Sequence, residues 1–470
     1  MRQNDSLTGN FDWPLFIVYL IIMAMGVTTV YSVAYNPENP SLFAFSEKYG
    51  RQMMWVGVSL FLGLLVFLID SDIYRKFSVP IYGFSIAMLV VVLFMPAVNG
   101  ARAWLGFGSM GIQPAEFAKI GTAILLASFL GSINLKQQNL QSVLVSLAIL
   151  GLPMGLILLQ PDAGTFVVFS AFLFVLYREG ITFDPLILKL INLIPGVKFK
   201  KTWVGTHFIP ILFITVFLSV MTLILSHDPI TFESRPNDEY SGYFRILGGI
   251  FIFCLVAFLL MRLIFPKRER KRAIIISLLA FILTVGFTGG VKFGFEKLAP
   301  HQKLRIELLL GIYDGPMDGI EDGVDYNRNH AMAAVGSGGF KGKGYKNASL
   351  SSLKTNHVPE SETDFIFCPF AEEWGFLGST VLVFLYFFML LRIVKIAERQ
   401  RSTFNRVYAY SVVVILFYHV AINIGMNIGF APVIGIPLPF FSYGGSSMMA
   451  FSMMLFILLK LDSQRKDVLN

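Results

Sequence analysis

Charge is what this chain has least of. Of its 470 residues 14% are Asp, Glu, Lys or Arg, against 55% hydrophobic residues and a mean hydropathy of +0.66, which is too little charge for an ordinary soluble protein of that size. Cysteine is nearly missing as well. Cys254 and Cys368 are the whole complement and both lie in apolar stretches, so neither a disulfide framework nor a cysteine-rich metal site is expected. His301, His330 and His357 are too widely spaced, with no cysteine beside them, to read as zinc ligands. No internal repeat of the transporter kind is visible. The net charge of +8 is spread over short segments between apolar runs instead of forming one basic face, and nucleic acid is therefore not an expected partner.

What the chain does have is long apolar runs. A membrane-crossing helix needs about 20 largely apolar residues, and about twelve runs meet that length. They lie near 13–33, 53–70, 78–98, 115–133, 141–159, 163–178, 208–226, 243–265, 272–295, 366–394, 407–428 and 438–459. The expected fold is an all-α polytopic membrane protein surrounded by membrane lipids, in three parts: N-terminal spans over 1–178, an inserted segment over 179–271, and a C-terminal membrane part over 272–470. The first run lacks a small-residue cleavage pattern after it and reads as a retained span. Alternating the spans puts Arg75-Lys76, Lys136, Lys198 to Lys201, Lys267 to Arg272, Arg392 to Arg406 and Lys460 to Lys466 on one side. That side is expected to be the cytoplasm, with both chain termini there. The other side receives Asp228 to Glu239, the loop carrying Trp104, and a long outer loop over 296–365.

Several polar residues stand out against this background. Thr363 and Asp364 sit where the outer loop enters an apolar run, and an acid near a bilayer pairs, faces water or loses its charge. A helix cap is the competing reading of Asp364 from position alone. Glu372 and Glu373 fall further into the same run, where two adjacent carboxylates cannot both face lipid cheaply. They read equally as a structural ion pair, a brace for the loop or a cation site. Lys119 lies within an apolar run, with Glu116 one turn back as its possible partner. Gly336-Ser337-Gly338-Gly339 and Lys341-Gly342-Lys343-Gly344 combine close backbone approach with positive charge, which suits an anion but also an ordinary surface loop. Trp104 can pack a sugar or an isoprenoid, or serve as an interfacial tryptophan. Asp162 reads as a helix cap with a supporting role.

Four separated segments carry a resemblance. Asn423-Ile424-Gly425-Met426-Asn427 followed by Gly435-Ile436-Pro437-Leu438-Pro439-Phe440-Phe441-Ser442-Tyr443-Gly444-Gly445-Ser446-Ser447 resembles the C-terminal signature of the SEDS family (shape, elongation, division and sporulation), in its RodA-like form. Trp104-Leu105-Gly106 with Gln113-Pro114-Ala115-Glu116-Phe117-Ala118-Lys119, and Gln160-Pro161-Asp162-Ala163-Gly164-Thr165, are similar to two further blocks. The fourth joins Ala334 to Gly344 with Pro359-Glu360, Thr363-Asp364-Phe365-Ile366-Phe367 and Ala371-Glu372-Glu373-Trp374-Gly375. The resemblance implies a SEDS-type bundle of about ten core spans plus about two inserted ones. It further implies a peptidoglycan glycosyltransferase that polymerises lipid II on the outer face of the bacterial cytoplasmic (inner) membrane. A class B penicillin-binding protein is the implied partner, the growing strand stays linked to a polyprenyl pyrophosphate, and the process served is cell elongation. The alternatives are a lipid II carrier, which would also need many spans, and a non-enzymatic scaffold for a penicillin-binding protein.

In such a reaction a sugar hydroxyl of one substrate attacks the anomeric carbon of the other and expels a polyprenyl pyrophosphate, so a base and a positive field are needed. The resemblance assigns the base to Asp364. Arg102, Trp104, Lys119, Lys341 and Lys343 are the candidates for contact with substrate, and Gln113, Glu116, Asp162, Glu372, Glu373, Ser442 and Tyr443 for support. Mg or Mn on the pyrophosphate suits the chemistry, although no metal-ligand spacing is legible. The chain departs from the family pattern at Glu362, where His is usual, and at Ala103 and Gly111, where relatives are basic. Glu362 would raise the proton affinity of Asp364 if the two carboxylates converge.

Overall fold

The structure is a computed structural model that describes residues 11–97, 101–106, 111–133, 139–192, 205, scattered positions from 248 to 297, 324–352 and 358–465. Regular structure among these residues is helical, apart from isolated bridge positions that include the antiparallel pair Leu105 and Ile112. The chain divides into two compact units, Met1–Thr206 with Asn327–Asn470, and His207–Tyr326. The second is helical at the positions described, where the Phe251 and Phe281 rings meet edge to face at 5.9 Å.

In the first unit the helices are α1 (Trp13–Val33), α2 (Lys48–Leu68), α3 (Ser71–Lys76), α4 (Ser78–Val92), α5 (Pro114–Ser132), α6 (Leu140–Leu159), α7 (Ala163–Ser170), α8 (Phe172–Arg178) and α9 (Asp184–Ile191), then α10 (Val324–Ser337), α11 (Phe367–Arg399), α12 (Thr403–Asn427) and α13 (Gly445–Ser463). Seven of them, α1, α2, α5, α6, α11, α12 and α13, are long and apolar enough to cross a membrane. The protein is a multi-pass membrane protein. The run near 208–226 lies outside the described residues, as does most of 243–265 and 272–295.

Helix ends follow local chemistry. Asp12 caps α1 by accepting from the Leu15 amide at 3.2 Å, with Pro14 in the first turn, and Asn139 with Ser142 forms a capping box at α6. The last apolar run differs from its expected limits. It reads as a span over 438–459, but the helix starts only at Gly445, because Pro437 and Pro439 supply no amide and Phe440 has φ 63. The stretch before it is a loop folded into the protein, with Phe441 fully buried.

α13 is the most enclosed span: 83% of its apolar window is buried, against 22% for α2 and α11. Without a hydrophobic drive between helices in lipid, association depends on close contact and polar pairing. A Cβ on Gly63 of α2 would lie 2.6 Å from the Phe456 ring of α13, and one on Gly26 of α1 would lie 2.5 Å from the Phe441 carbonyl oxygen. At the end of the bundle where α1 begins, Arg399 of α11 joins Asp12 at 2.8 Å to Asp462 of α13, and Arg392 adds a 3.0 Å bond to Asp12. Those arginines hold the Asp12 carboxyl, just ahead of α1, below the usual carboxylate range against the opposing effect of its burial.

α11 is broken at Gly375, which has φ 64 and ψ −162. The break frees peptide groups, and the glycine-rich loop takes them. Glu372 and Glu373 carbonyls accept from the Lys343 and Gly344 amides at 3.0 Å each, and Phe376 and Leu377 donate to the Gly339 and Phe340 carbonyls at 2.9 and 3.2 Å. Such a break is tolerated at membrane depth only where protein replaces the lost partners. A Cβ at Gly375 would sit 2.2 Å from the Gly342 nitrogen. Gly375→Ala should therefore destabilise the protein by about 2 kcal/mol or more, seen as a lower melting temperature in detergent. Gly151→Ala, where nothing lies within 4 Å, should leave that temperature unchanged or slightly raised.

Candidate functional site

The segment 360–366 forms turns leading into α11, with the Thr363 and Phe365 amides donating to the Glu360 carbonyl at 3.0 and 3.2 Å. Phe365, Ile366 and Cys368 are buried beneath it, Phe365 and Cys368 in a cluster with Ala331 and Ala334 of α10. α12 holds it from one side. The Asn423 side-chain amide donates to the Asp364 carbonyl at 2.8 Å and to the Ile436 carbonyl at 2.6 Å, so one residue joins the acid-bearing turn to the loop before α13. Asn427 donates to the Asn423 carbonyl at 2.7 Å. The loop before α13 holds the other side: Ser442 Oγ donates to the Thr363 carbonyl at 2.6 Å and accepts from the Leu438 amide at 2.8 Å, and the Tyr443 amide donates to the Glu362 carbonyl at 2.9 Å. Gln52 of α2 bonds both the Ser442 carbonyl and the Gly444 amide, at 3.3 and 3.4 Å.

The carbonyls of Glu360, Glu362, Thr363 and Asp364 are thus occupied, while the Asp364 carboxylate has no hydrogen bond among the described residues. That carboxylate is half-buried. Burial is the first cause that pushes its pKa up to about 7, followed by the negative charges of Glu360, Asp162 and Glu362. Glu362 was the neighbour expected to raise it. It contributes least of the three acids, since its carboxylate is held by Lys48 in an ion pair. Gly435, at φ 66, walls the site, and a Cβ there would lie 3.2 Å from Asp364 Oδ2.

The remaining candidates separate into groups. Asp162 caps α7, accepting from the Thr165 amide at 2.9 Å and hydroxyl at 2.8 Å, and takes a 3.1 Å bond from the Gln113 side chain. The Gln113 amide donates to Ser446 at the start of α13, so the beginnings of α5, α7 and α13 converge. Lys119 is fully buried. It holds both Glu116 oxygens at 2.8 Å, contacts His419 Nε2 at 2.9 Å, and lies 4.9 Å from the Phe451 ring centre. Glu372 is fully buried and accepts from Lys343 Nζ at 2.6 Å and from the Ser349, Leu350 and Ser351 amides at 2.8, 3.0 and 3.0 Å. Glu373 takes a hydrogen bond from Ser32 of α1 and another from the Lys346 amide at 3.1 Å. These two acids brace the glycine-rich loop. Arg102 is exposed and donates to the Leu93 carbonyl at 3.2 Å. Trp104 is half-exposed beside Gly111, whose Cβ would meet its ring at 3.2 Å. Lys341 is exposed, with no ion-pair partner among the described residues. His301 and His357 lie outside the described residues. Among those described, no three His, Cys, Asp or Glu side chains are placed to share a metal ion, so this donor set does not fit a three-ligand protein metal site.

Comparison with known proteins fits this arrangement into a family. The family of cell cycle proteins comprising FtsW, RodA and SpoVE matches residues 12–229 and 249–467. The chain belongs to that family. The unmatched residues 230–248 fall within 179–271. Relatives of the FtsW/RodA/SpoVE family include the peptidoglycan glycosyltransferase RodA of Treponema pallidum, 28% identical over 448 residues that cover 94% of each chain. The peptidoglycan glycosyltransferase MrdB of Escherichia coli K12 is 26% identical, over 95% of this chain and 93% of its own. A chain from a peptidoglycan synthase complex that coordinates polymerization and crosslinking superposes with a TM-score of 0.63 at 22% identity, covering 97% of this chain and 98% of its own. The Thermus thermophilus rod shape determining protein RodA gives 0.53 at 21% over the same shares. Both show the same fold.

Lys48, Gln52, His419 and Gly435 had no role assigned from sequence. His419, Asn423 and Asn427 recur every four residues inside an apolar run, the spacing of one helix face, and that pattern was the available signal. The raised proton affinity of Asp364 has a measurable consequence for this FtsW/RodA/SpoVE member. An unfolded Asp ionises near 3.8 and this one near 7, so ionisation favours the unfolded state increasingly from about pH 4 to pH 7 and by a constant amount above. Asp364→Asn, which cannot ionise, should match the wild-type melting temperature near pH 4 and exceed it by a margin that grows to about pH 7 and then levels off.

Proposed function

We propose that this protein is a peptidoglycan glycosyltransferase that polymerises lipid II into glycan strands for cell elongation. The observation that carries the reading is the Asp364 carboxylate, half-buried, free of hydrogen bonds among the described residues and with a pKa of about 7. It stands in a chain whose full-length relatives bear that name. A base is most effective when its pKa lies near the working pH, because it is then both available and basic enough to take a proton.

The chemistry follows from the geometry. Asp364 takes the proton of the attacking sugar hydroxyl as the oxygen bonds to the anomeric carbon of the second substrate. The carbon–oxygen bond to the polyprenyl pyrophosphate breaks, and both electrons leave with the pyrophosphate. Asn423, Ser442 and the Tyr443 amide hold the backbone about the acid, so the carboxylate meets the hydroxyl without reorganisation. For the departing charge, Lys119 and Lys343 already neutralise Glu116 and Glu372, so of the candidates named from sequence Arg102 and Lys341 are the ones open to a phosphate oxygen. Trp104, half-exposed, offers an apolar face to sugar or lipid. Mg or Mn would be carried on the pyrophosphate.

The positive-inside pattern supports a bacterial inner-membrane location with both termini in the cytoplasm and Asp364 on the outer side. A class B penicillin-binding protein that crosslinks the product is the proposed partner. The segment 179–271 is proposed as accessory to the chemistry, since every residue named in the site lies outside it. Purified protein given labelled lipid II tests the assignment: Asp364→Asn, which keeps shape and removes the proton acceptor, should lower strand synthesis by about 100-fold or more. Near-normal polymerisation by that variant would overturn the reading. The wild-type kcat/KM should fall with acidity below about pH 7 and reach a plateau above, because only the ionised carboxylate accepts the proton.

A further inference from the structure

His419 is a buried polar side chain that the mechanism does not use. His419 lies on α12 one turn before Asn423 and two before Asn427, and is 2% exposed. Its Nδ1 is 3.1 Å from the Pro437 carbonyl and its Nε2 is 2.9 Å from Lys119 Nζ, while the ring meets Phe451 edge to face at 4.8 Å. The hydrogens on the ring follow from its partners. The Pro437 carbonyl only accepts, so Nδ1 carries a hydrogen. The Lys119 ammonium only donates, so Nε2 is bare. One neutral tautomer satisfies both contacts, and the Glu116–Lys119 pair selects it.

This ring reaches the site through the loop before α13. His419 donates to the Pro437 carbonyl and Asn423 donates to the adjoining Ile436 carbonyl, so two successive peptides of the loop are held by one face of α12. Immediately before them is Gly435, whose Cα is the wall against Asp364 Oδ2; after them comes Ser442, bonded to the Thr363 carbonyl. At its Gly435 end the loop is tied to α12 by the Asn423 bond to Ile436, while Ser442 and the Tyr443 amide tie its far end to the turn. A second bond from His419 stops the Gly435 end from pivoting about the Asn423 bond.

We propose that His419 is a positioning residue for Asp364, setting the Gly435 wall through Pro437, and that Glu116 and Lys119 act by holding its imidazole in the Nδ1–H form. This rests on Asp364 being the base. His419→Phe keeps a ring against Phe451 and removes both polar contacts, whereas His419→Gln keeps one donor and one acceptor. With lipid II as substrate, His419→Phe should lose about tenfold or more in kcat, given how steeply rate depends on alignment, with KM within twofold of wild type. The midpoint of its acid limb should also move away from the wild-type value, because the wall that excludes water from Asp364 has moved. His419→Gln should recover most of the loss in both.

A folded His419→Phe protein with wild-type kcat and acid limb overturns the proposal, and so does a change confined to KM, which would mean contact with substrate. Equal damage from Gln and Phe also counts against it. If His419→Phe does not fold, the wild-type protein still decides. In 15N magnetic resonance of histidine-labelled protein, the signal missing from His419→Gln should show a protonated Nδ1 and a bare Nε2. The opposite tautomer would sink the idea. Full activity in Asp364→Asn would instead remove the base assignment beneath it, whereas an inactive Asp364→Asn beside a normal His419→Phe refutes only the role of His419.

Discussion

The side-chain amide of Asn423 is the contact on which the site depends. It donates to the carbonyl of Asp364 and to that of Ile436, and so fastens together two non-helical segments far apart in sequence. Peptide groups that leave the helical ladder inside an apolar bundle find no water and no help from lipid, and each must be paired by protein. The same demand explains the break at Gly375, where the glycine-rich loop supplies the missing partners, and the loop before α13, where Ser442 and Gln52 do so. The turn at 360–366 and the loop before α13 meet around Asp364, and polar side chains of α2 and α12 stabilise the irregular backbone there.

Charge inside the bundle obeys a second constraint. Glu372 and Lys343, Glu116 and Lys119, and Glu362 and Lys48 are paired, because an unpaired ion in such surroundings is costly. Asp364 and Glu373 have no such cation in an ion pair among the described residues. Buried, and with three acids nearby, Asp364 keeps its proton to about pH 7. A buried acid held without a cation costs stability, and groups of raised proton affinity cluster at functional sites.

Much of this was legible in the chain itself. Apolar run length foretold the helices α1, α5, α6, α11 and α12 nearly to their ends, since a membrane-crossing helix needs little beyond length and composition. Asp162 as a cap and Glu116 as the partner of Lys119 were open readings from local spacing, and both contacts are present. The start of α13 was not legible by hydropathy alone: residues 438–444 are as apolar as a span, and the prolines and the positive φ of Phe440 decide against a helix.

The sequence by itself determined the membrane-spanning class, the family and the acid to watch, because composition, run length and motif order are properties of the chain read linearly. Tertiary structure alone decided which charges are free. Lys343 looks like Lys341 in a string of letters. Folding puts the first against Glu372 and leaves the second exposed, and it brings His419 beside the locally paired Lys119. The proton affinity of Asp364 is raised first by burial and then by Glu360, with Asp162, two hundred residues earlier in the chain, adding to it. No local pattern encodes such distances, since they exist only once α2, α5, α11, α12 and α13 have packed.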